Sequence, residues 1–137
     1  GYAIGQPDTM QAISRAWGLG SINTLTAAAG VASLRDVTHI DEERAENARV
    51  RDFTLQAFKD LGFDGVDAHT NCIFIDLKRP AKEFRDGCAA LKVNVGRDFP
   101  PFEKSHSRIS LGTMEEMKVA AGVFRQVLTA STRSRAQ

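Results

Sequence analysis

The chain has 137 residues, of which 42% are hydrophobic and 26% charged, and its formal net charge is +1. This length and composition suit one ordinary globular domain, or one small domain with an appendage, and allow a real core. They exclude a disordered or collagen-like protein. The sequence has no basic run of the kind that binds nucleic acid and no apolar run long enough to cross a bilayer. We therefore expect neither nucleic acid nor a membrane as a partner.

The first third of the chain predicts two helices. Residues 1–5 form a short apolar piece of the kind that ends a buried strand. Pro7 and Asp8 then indicate the first turn of a helix that stops at Gly18, because proline is tolerated there and an acid favours the helix dipole. Asn23 is a suitable N-cap for a second helix of small apolar residues.

A long charged helix is predicted next. Charges of both signs are dense from Arg35 to Arg51, and a helical pattern continues to Leu61 before Gly62, a common C-terminal stop. Such a helix can bridge two bodies, so we place a domain boundary near its start.

The remainder of the chain mixes strands and helices. Apolar content and periodicity predict three strands, at 71–77, 93–95 and 107–111. One helix is predicted over 80–91, and another follows Thr113, where Glu116 completes a capping box. This order predicts an α+β fold in which the helices cover one face of a sheet.

Arg108 is the first candidate for a binding role. Alternation in the strand places Arg108 and Ser110 on one face and Ile109 and Leu111 on the other. A guanidinium held on a strand offers a planar fork that matches a carboxylate or a phosphate. The alternative is an exposed arginine without a particular partner.

The cysteines and histidines carry weaker signals. Cys72 and Cys88 are expected to be buried free thiols, with a disulfide or metal site as the less favoured alternative. His39, His69 and His106 are scattered and show none of the spacing of a metal site.

Several segments then follow one another in a distinctive order. They are Gly1-Tyr2-Ala3-Ile4-Gly5, Asn23 with its alanine-rich helix, Asn71 before a strand, Arg97 in Val-Gly-Arg, and Arg108-Ile-Ser-Leu-Gly-Thr-Met-Glu-Glu-Met. Together they resemble the C-terminal portion of a fold-type I, pyridoxal-phosphate-dependent aminotransferase, in particular of the histidinol-phosphate aminotransferase group. The last segment is the most specific part of the resemblance.

The resemblance implies a domain organisation. Residues 1–36 would be the tail of the large cofactor-binding domain, 37–62 a connecting helix, 63–130 the small α+β domain and 131–137 a frayed tail. Residues 1–34 would lack their packing partners here, so we expect them to be disordered, to rearrange or to pack against another copy.

The resemblance also implies roles for two arginines. Arg108 matches the arginine that grips the substrate's carboxylate, or its phosphate in the histidinol-phosphate branch. Arg97 matches a second arginine that assists anion recognition in that branch. Because Asp98 follows Arg97, a local salt bridge is the alternative for Arg97. Asn71 would do no more than satisfy local backbone groups.

The cofactor implied by the resemblance is pyridoxal 5'-phosphate, which the family holds through a lysine upstream of the Gly-Tyr pair. The chain starts after the position that matches this lysine. None of the six lysines lies in the matching context: Lys59, Lys78, Lys82, Lys92, Lys104 and Lys118. We therefore expect that this chain alone neither binds the cofactor covalently nor transaminates.

The intact enzyme implied by the resemblance transfers an amino group between an amino acid, or histidinol phosphate, and an oxo acid. Its expected partners are these small molecules, the rest of the enzyme and a second copy in a homodimer, in the cytoplasm. The alternative is a non-catalytic α/β module that binds a small anion or another protein.

Overall fold

The computed structural model describes residues 3–17, 22–66 and 68–134, with side chains described to residue 130. The chain divides into two compact units, residues 1–40 and 41–137, called here the N-terminal unit and the C-terminal unit.

The N-terminal unit contains the two predicted helices, α1 (Pro7–Trp17) and α2 (Thr24–Arg35). The side chain of Asn23 accepts a hydrogen bond from the Thr26 N–H at 2.9 Å, which confirms Asn23 as the N-cap of α2. None of the described side chains of this unit is buried.

The buried strand end predicted at residues 1–5 is not seen. Gly1 and Tyr2 lie outside the described residues, residues 3–5 have no regular structure, and Ile4 is 90% exposed. A strand requires a neighbouring strand for its backbone hydrogen bonds, and the described residues of this unit contain none. The packing of this unit against another copy stays a prediction.

The other elements follow in chain order: α3 (His39–Lys59), β1 (Cys72–Asp76), α4 (Ala81–Ala90), a 3₁₀ helix (Phe102–Lys104), β2 (His106–Ser110) and α5 (Met114–Ser134). After α3, Gly62 has a φ of 82°, the left-handed conformation that glycine adopts readily where a helix ends. Among the described helices, none combines the length and the apolar character that crossing a bilayer requires.

The two strands pair antiparallel and form the sheet, with Ile73 opposite Ile109 and Phe74 opposite Arg108. Ile73 and Ile109 face the core, and Ile109 is only 2% exposed. Arg108 and Ser110 lie on the opposite face, as the alternation predicted. The arrangement of helices and a small antiparallel sheet confirms the α+β class.

The predicted strand at 93–95 is wrong. Lys92 has a φ of 65°, and the Val93 N–H donates to the carbonyl of Cys88 at 3.0 Å. The backbone there is completing the end of α4, so it is not available for a strand ladder. Val93 and Val95 still pack against the core, and this burial explains their apolar character.

One core joins the helices α3, α4 and α5 of the C-terminal unit. Phe58 of α3, Phe84 of α4 and Phe124 of α5 are each almost fully buried. The ring centroid of Phe58 lies 6.2 Å from that of Phe84 and 5.2 Å from that of Phe124. These rings belong to the same cluster as Ile73 and Ile109, so the helices cover one face of the sheet.

The start of α5 matches its prediction. The Thr113 N–H donates to the Glu116 carboxylate at 2.8 Å, and the Glu116 N–H donates to the Thr113 hydroxyl at 3.3 Å. These reciprocal bonds confirm the capping box. The hydrogen bond from the Thr113 backbone lowers the pKa of Glu116, since it favours the charged carboxylate.

Both cysteines are free thiols. Cys88 is fully buried as predicted, and burial raises the pKa of its thiol to about 12. Cys72 is only half-buried, because it lies on the sheet face away from the core.

Truncating Phe124 tests the shared core. We expect Phe124→Ala to lower the free energy of unfolding by about 3–5 kcal/mol, because it removes a buried ring and leaves a cavity. Val119→Ala, on the same helix but 68% exposed, is the control and is expected to change it by less than about 0.5 kcal/mol. Urea denaturation followed by circular dichroism measures both, and equal losses would contradict this core.

Candidate functional site

The sheet face away from the core carries an aromatic cluster. Phe74 of β1 stacks on His106 of β2 with ring centroids 4.9 Å apart. Phe102 lies against both rings, at 5.8 Å from Phe74 and 5.6 Å from His106. The His106 Nδ1 is 2.7 Å from the Ser105 hydroxyl oxygen. This cluster lies beside Arg108, the residue opposite Phe74 in the sheet.

Arg97 and Arg108 meet at one aromatic ring. The guanidinium carbon of Arg97 lies 4.8 Å from the ring centroid of Phe99, and that of Arg108 lies 5.1 Å from the same centroid. The two guanidinium carbons are therefore at most about 10 Å apart. The ring attracts both cations through its negative face.

Arg108 has unused hydrogen-bonding capacity. Its side chain is half-buried, and its Nε atom is buried without a hydrogen-bond partner in the described part of the chain. A buried donor left unpaired costs free energy.

The local salt bridge considered for Arg97 is not formed. The Asp98 carboxylate instead lies 2.6 Å from the Nη1 atom of Arg85 on α4. Arg97 is exposed, and within residues 3–17, 22–66 and 68–134 it has no ion pair. Its guanidinium is therefore open to a ligand.

A pocket of about 290 Å³ opens beside Arg108. Its walls are almost entirely apolar and come from Val66, Ala68, Phe74, Phe99 and Phe102, with Arg108 at one side. The Val66 N–H donates to the Phe74 carbonyl at 2.9 Å, which holds one wall against β1. Such a pocket suits an organic molecule that has an apolar body and an anionic group.

The edge of this pocket is tied to α3. Asn47 and Arg51 each donate a side-chain hydrogen bond to the Thr70 carbonyl, at 3.2 and 3.1 Å. The Asn71 carbonyl accepts from the Leu111 N–H at 2.9 Å, which extends the pairing of β1 with β2. The role expected for the Asn71 side chain stays a prediction. The sequence pattern indicated neither Asn47 nor Arg51, because a contact across 19 or 23 positions leaves no local signal.

Phe99 was also missed, although a signal was available. In an extended segment, residues two positions apart point to the same side. The Arg97-Asp98-Phe99 order is therefore consistent with the observed contact between Arg97 and Phe99.

All six lysines of the chain are exposed, and none lines the pocket beside Arg108. Lys82 and Lys118 form surface ion pairs with Asp86 and Glu115. A lysine that forms a Schiff base is activated by desolvation or by a nearby cation. None of the six lysines has such a setting in the structure, and the expectation that this chain alone does not bind the cofactor covalently stays a prediction.

Comparison with known proteins gives a consistent family. The family model described as aminotransferase class I and II matches residues 1–124. The histidinol-phosphate aminotransferase of Symbiobacterium thermophilum is 32% identical over 117 residues, a match that covers 85% of this chain and 32% of that protein. The chain spans about a third of the length of the curated relatives it matches.

Two solved structures share the fold. The "Putative histidinol-phosphate aminotransferase" from Erwinia carotovora atroseptica matches with a TM-score of 0.87 and 30% identity, covering 93% of this chain and 37% of that one. The histidinol-phosphate aminotransferase from Sinorhizobium meliloti, in complex with pyridoxal-5'-phosphate, matches with a TM-score of 0.79 and 21% identity, covering 90% and 35%.

Gly96 permits the close approach of the Arg97 loop to β2. Its N–H donates to the Arg108 carbonyl at 2.9 Å, and a Cβ at this position would lie 2.5 Å from the same oxygen. We expect Gly96→Ala to lower the free energy of unfolding by about 1–3 kcal/mol, because the loop or the strand must move.

The matched control is Gly122→Ala on α5, where a Cβ would meet no atom within 4 Å. Its expected effect is neutral or a gain of up to about 1 kcal/mol, since alanine favours a helix. Chemical denaturation compares the two variants. A Gly96→Ala protein as stable as the wild type would show that the loop does not approach β2 in this way.

Proposed function

Because this chain belongs to the aminotransferase class I and II family, we propose that it supplies the substrate-recognition part of a pyridoxal-phosphate-dependent aminotransferase. The observation that carries the proposal is the convergence of Arg97 and Arg108 on the ring of Phe99. In this role the two guanidiniums bind the carboxylate or phosphate of the substrate.

Arg108 contributes the more directed contact. It stands on a paired strand, and the outer nitrogens of its guanidinium can donate two parallel hydrogen bonds to one anionic group. The apolar pocket beside it lowers the local dielectric, which strengthens the attraction between the charges. Arg97 adds a second positive charge from the loop.

The catalytic benefit of these residues is positioning. A substrate held by its anionic group keeps its amino group in a defined place, which reduces the entropic cost of reaction. Pyridoxal phosphate, when bound in such an enzyme, supplies the chemistry of amino-group transfer. The lysines of this chain are exposed, whereas a lysine that forms a Schiff base is activated by desolvation or by a nearby cation. We therefore infer that the chain alone does not transaminate.

The proposed substrates are an amino acid or histidinol phosphate as amino donor and an oxo acid as acceptor. The names of the relatives support the phosphate branch, since the Symbiobacterium and Moorella proteins are histidinol-phosphate aminotransferases. A homodimer, a cytoplasmic location and the domain assignments 1–36, 37–62, 63–130 and 131–137 stay predictions.

A non-catalytic anion-binding module is the second candidate. It is favoured by the core that Phe58, Phe84 and Phe124 build within the C-terminal unit. It would use the same arginines, so both candidates require a functional anion site.

Removing the charge of Arg108 tests that site. We expect Arg108→Gln to weaken the binding of inorganic phosphate by about 10- to 100-fold, because charge-assisted hydrogen bonds are worth about 1.5–3 kcal/mol. Arg97→Gln is expected to weaken it less, since Arg97 is more exposed. Isothermal titration calorimetry at low ionic strength measures the dissociation constants.

The control for this titration is Arg125→Gln, which removes an exposed arginine on α5. It should leave phosphate affinity unchanged. Absence of phosphate binding by the wild type, or an equal loss in the control, would refute the anion site.

A further inference from the structure

The loop that carries Arg97 is tied to α4 by one ion pair. The Arg85 Nη1 atom and the Asp98 carboxylate oxygen are 2.6 Å apart, and the two side chains are only 29% and 34% exposed. The ion pair between Lys118 and Glu115 within α5 is more open, with side chains 53% and 81% exposed. Partial burial strengthens an ion pair relative to one in water.

Asp98 connects this ion pair to the candidate anion site. Asp98 stands between Arg97 and Phe99, the two residues whose side chains meet at 4.8 Å. While these two turn towards Arg108, Asp98 reaches α4 on another side of the loop. The orientation of all three side chains is therefore set by one short stretch of backbone.

Few other contacts hold that stretch. Gly96 is bonded to the Arg108 carbonyl at 2.9 Å, and the Phe102 N–H donates to the Phe99 carbonyl at 2.7 Å. Between these points, the backbones of Arg97 and Asp98 form no hydrogen bond within the described residues. A segment without backbone hydrogen bonds depends on its side chains for a fixed orientation.

We propose that Arg85 and Asp98 are positioning residues for the anion site: their ion pair holds the loop so that Arg97 and Phe99 lie against Arg108. This inference rests on the proposed function. The pair has a second effect, because a carboxylate neutralised by Arg85 competes less with a bound anion for Arg97.

Charge substitutions of the pair test the proposal. We expect Arg85→Gln and Asp98→Asn each to weaken the binding of inorganic phosphate by about fivefold to tenfold, measured by calorimetry on the full chain. Arg85→Lys keeps the charge and should retain most of the affinity. The control Glu115→Gln breaks the open ion pair of α5 and should have no effect.

A reversed pair separates positioning from a general effect of charge. The single variants Arg85→Asp and Asp98→Arg place like charges together and should bind phosphate weakly. The double variant Arg85→Asp with Asp98→Arg should bind phosphate at least threefold more tightly than either single variant, because the pair is restored with opposite polarity. Circular dichroism verifies that each variant is folded. If a reversed variant is unfolded, the phosphate affinities of Arg85→Lys and Asp98→Asn are compared instead, and the proposal predicts tighter binding by Arg85→Lys.

The outcomes are distinct. The inference is overturned if Asp98→Asn and Arg85→Gln bind phosphate as the wild type does while Arg108→Gln does not, and the proposed function then stands. It is also overturned if Arg85→Lys binds as weakly as Arg85→Gln. A wild-type chain that binds no phosphate overturns the proposed function and this inference together.

Discussion

The pairing of β1 with β2 is the constraint on which the rest of the C-terminal unit depends. Its register places Ile73 and Ile109 against the helices and Phe74 and Arg108 on the opposite face. A slip of one residue would turn Arg108 into the core and Ile109 into solvent. The cost of burying an unpaired guanidinium and of losing aliphatic burial makes this register strongly preferred. The core and the candidate site are thus two consequences of one ladder of hydrogen bonds.

The candidate site combines this sheet with a loop. Arg108 has a fixed strand, whereas Arg97 and Phe99 belong to a loop that reaches β2 through Gly96 and α4 through Asp98. Under the proposed function, the strand arginine fixes the position of the anion and the loop arginine adds a second positive charge.

Local features of the fold could be predicted from the sequence. The N-cap at Asn23, the capping box of Thr113 and Glu116, and the alternation around Arg108 each depend on residues within a few positions of one another. The order of such features also indicated the family, and the family model matches residues 1–124.

Features that depend on distant contacts could not be predicted. Val93 and Val95 pack against the core, as alternate residues of a strand would, yet the backbone at Val93 completes the end of α4. The partner of Asp98 is Arg85 rather than its neighbour Arg97, since only the folded chain brings α4 beside the loop.

Under the proposed function, Arg97 and Arg108 bind one anion together. The most direct measurement follows the Nε–H signals of both arginines by nitrogen-15 NMR while inorganic phosphate is added. Shared binding predicts that both signals shift along one saturation curve with a single dissociation constant, because each guanidinium contacts the same ion. Signals that shift with different constants, or a shift of one signal alone, would contradict the account.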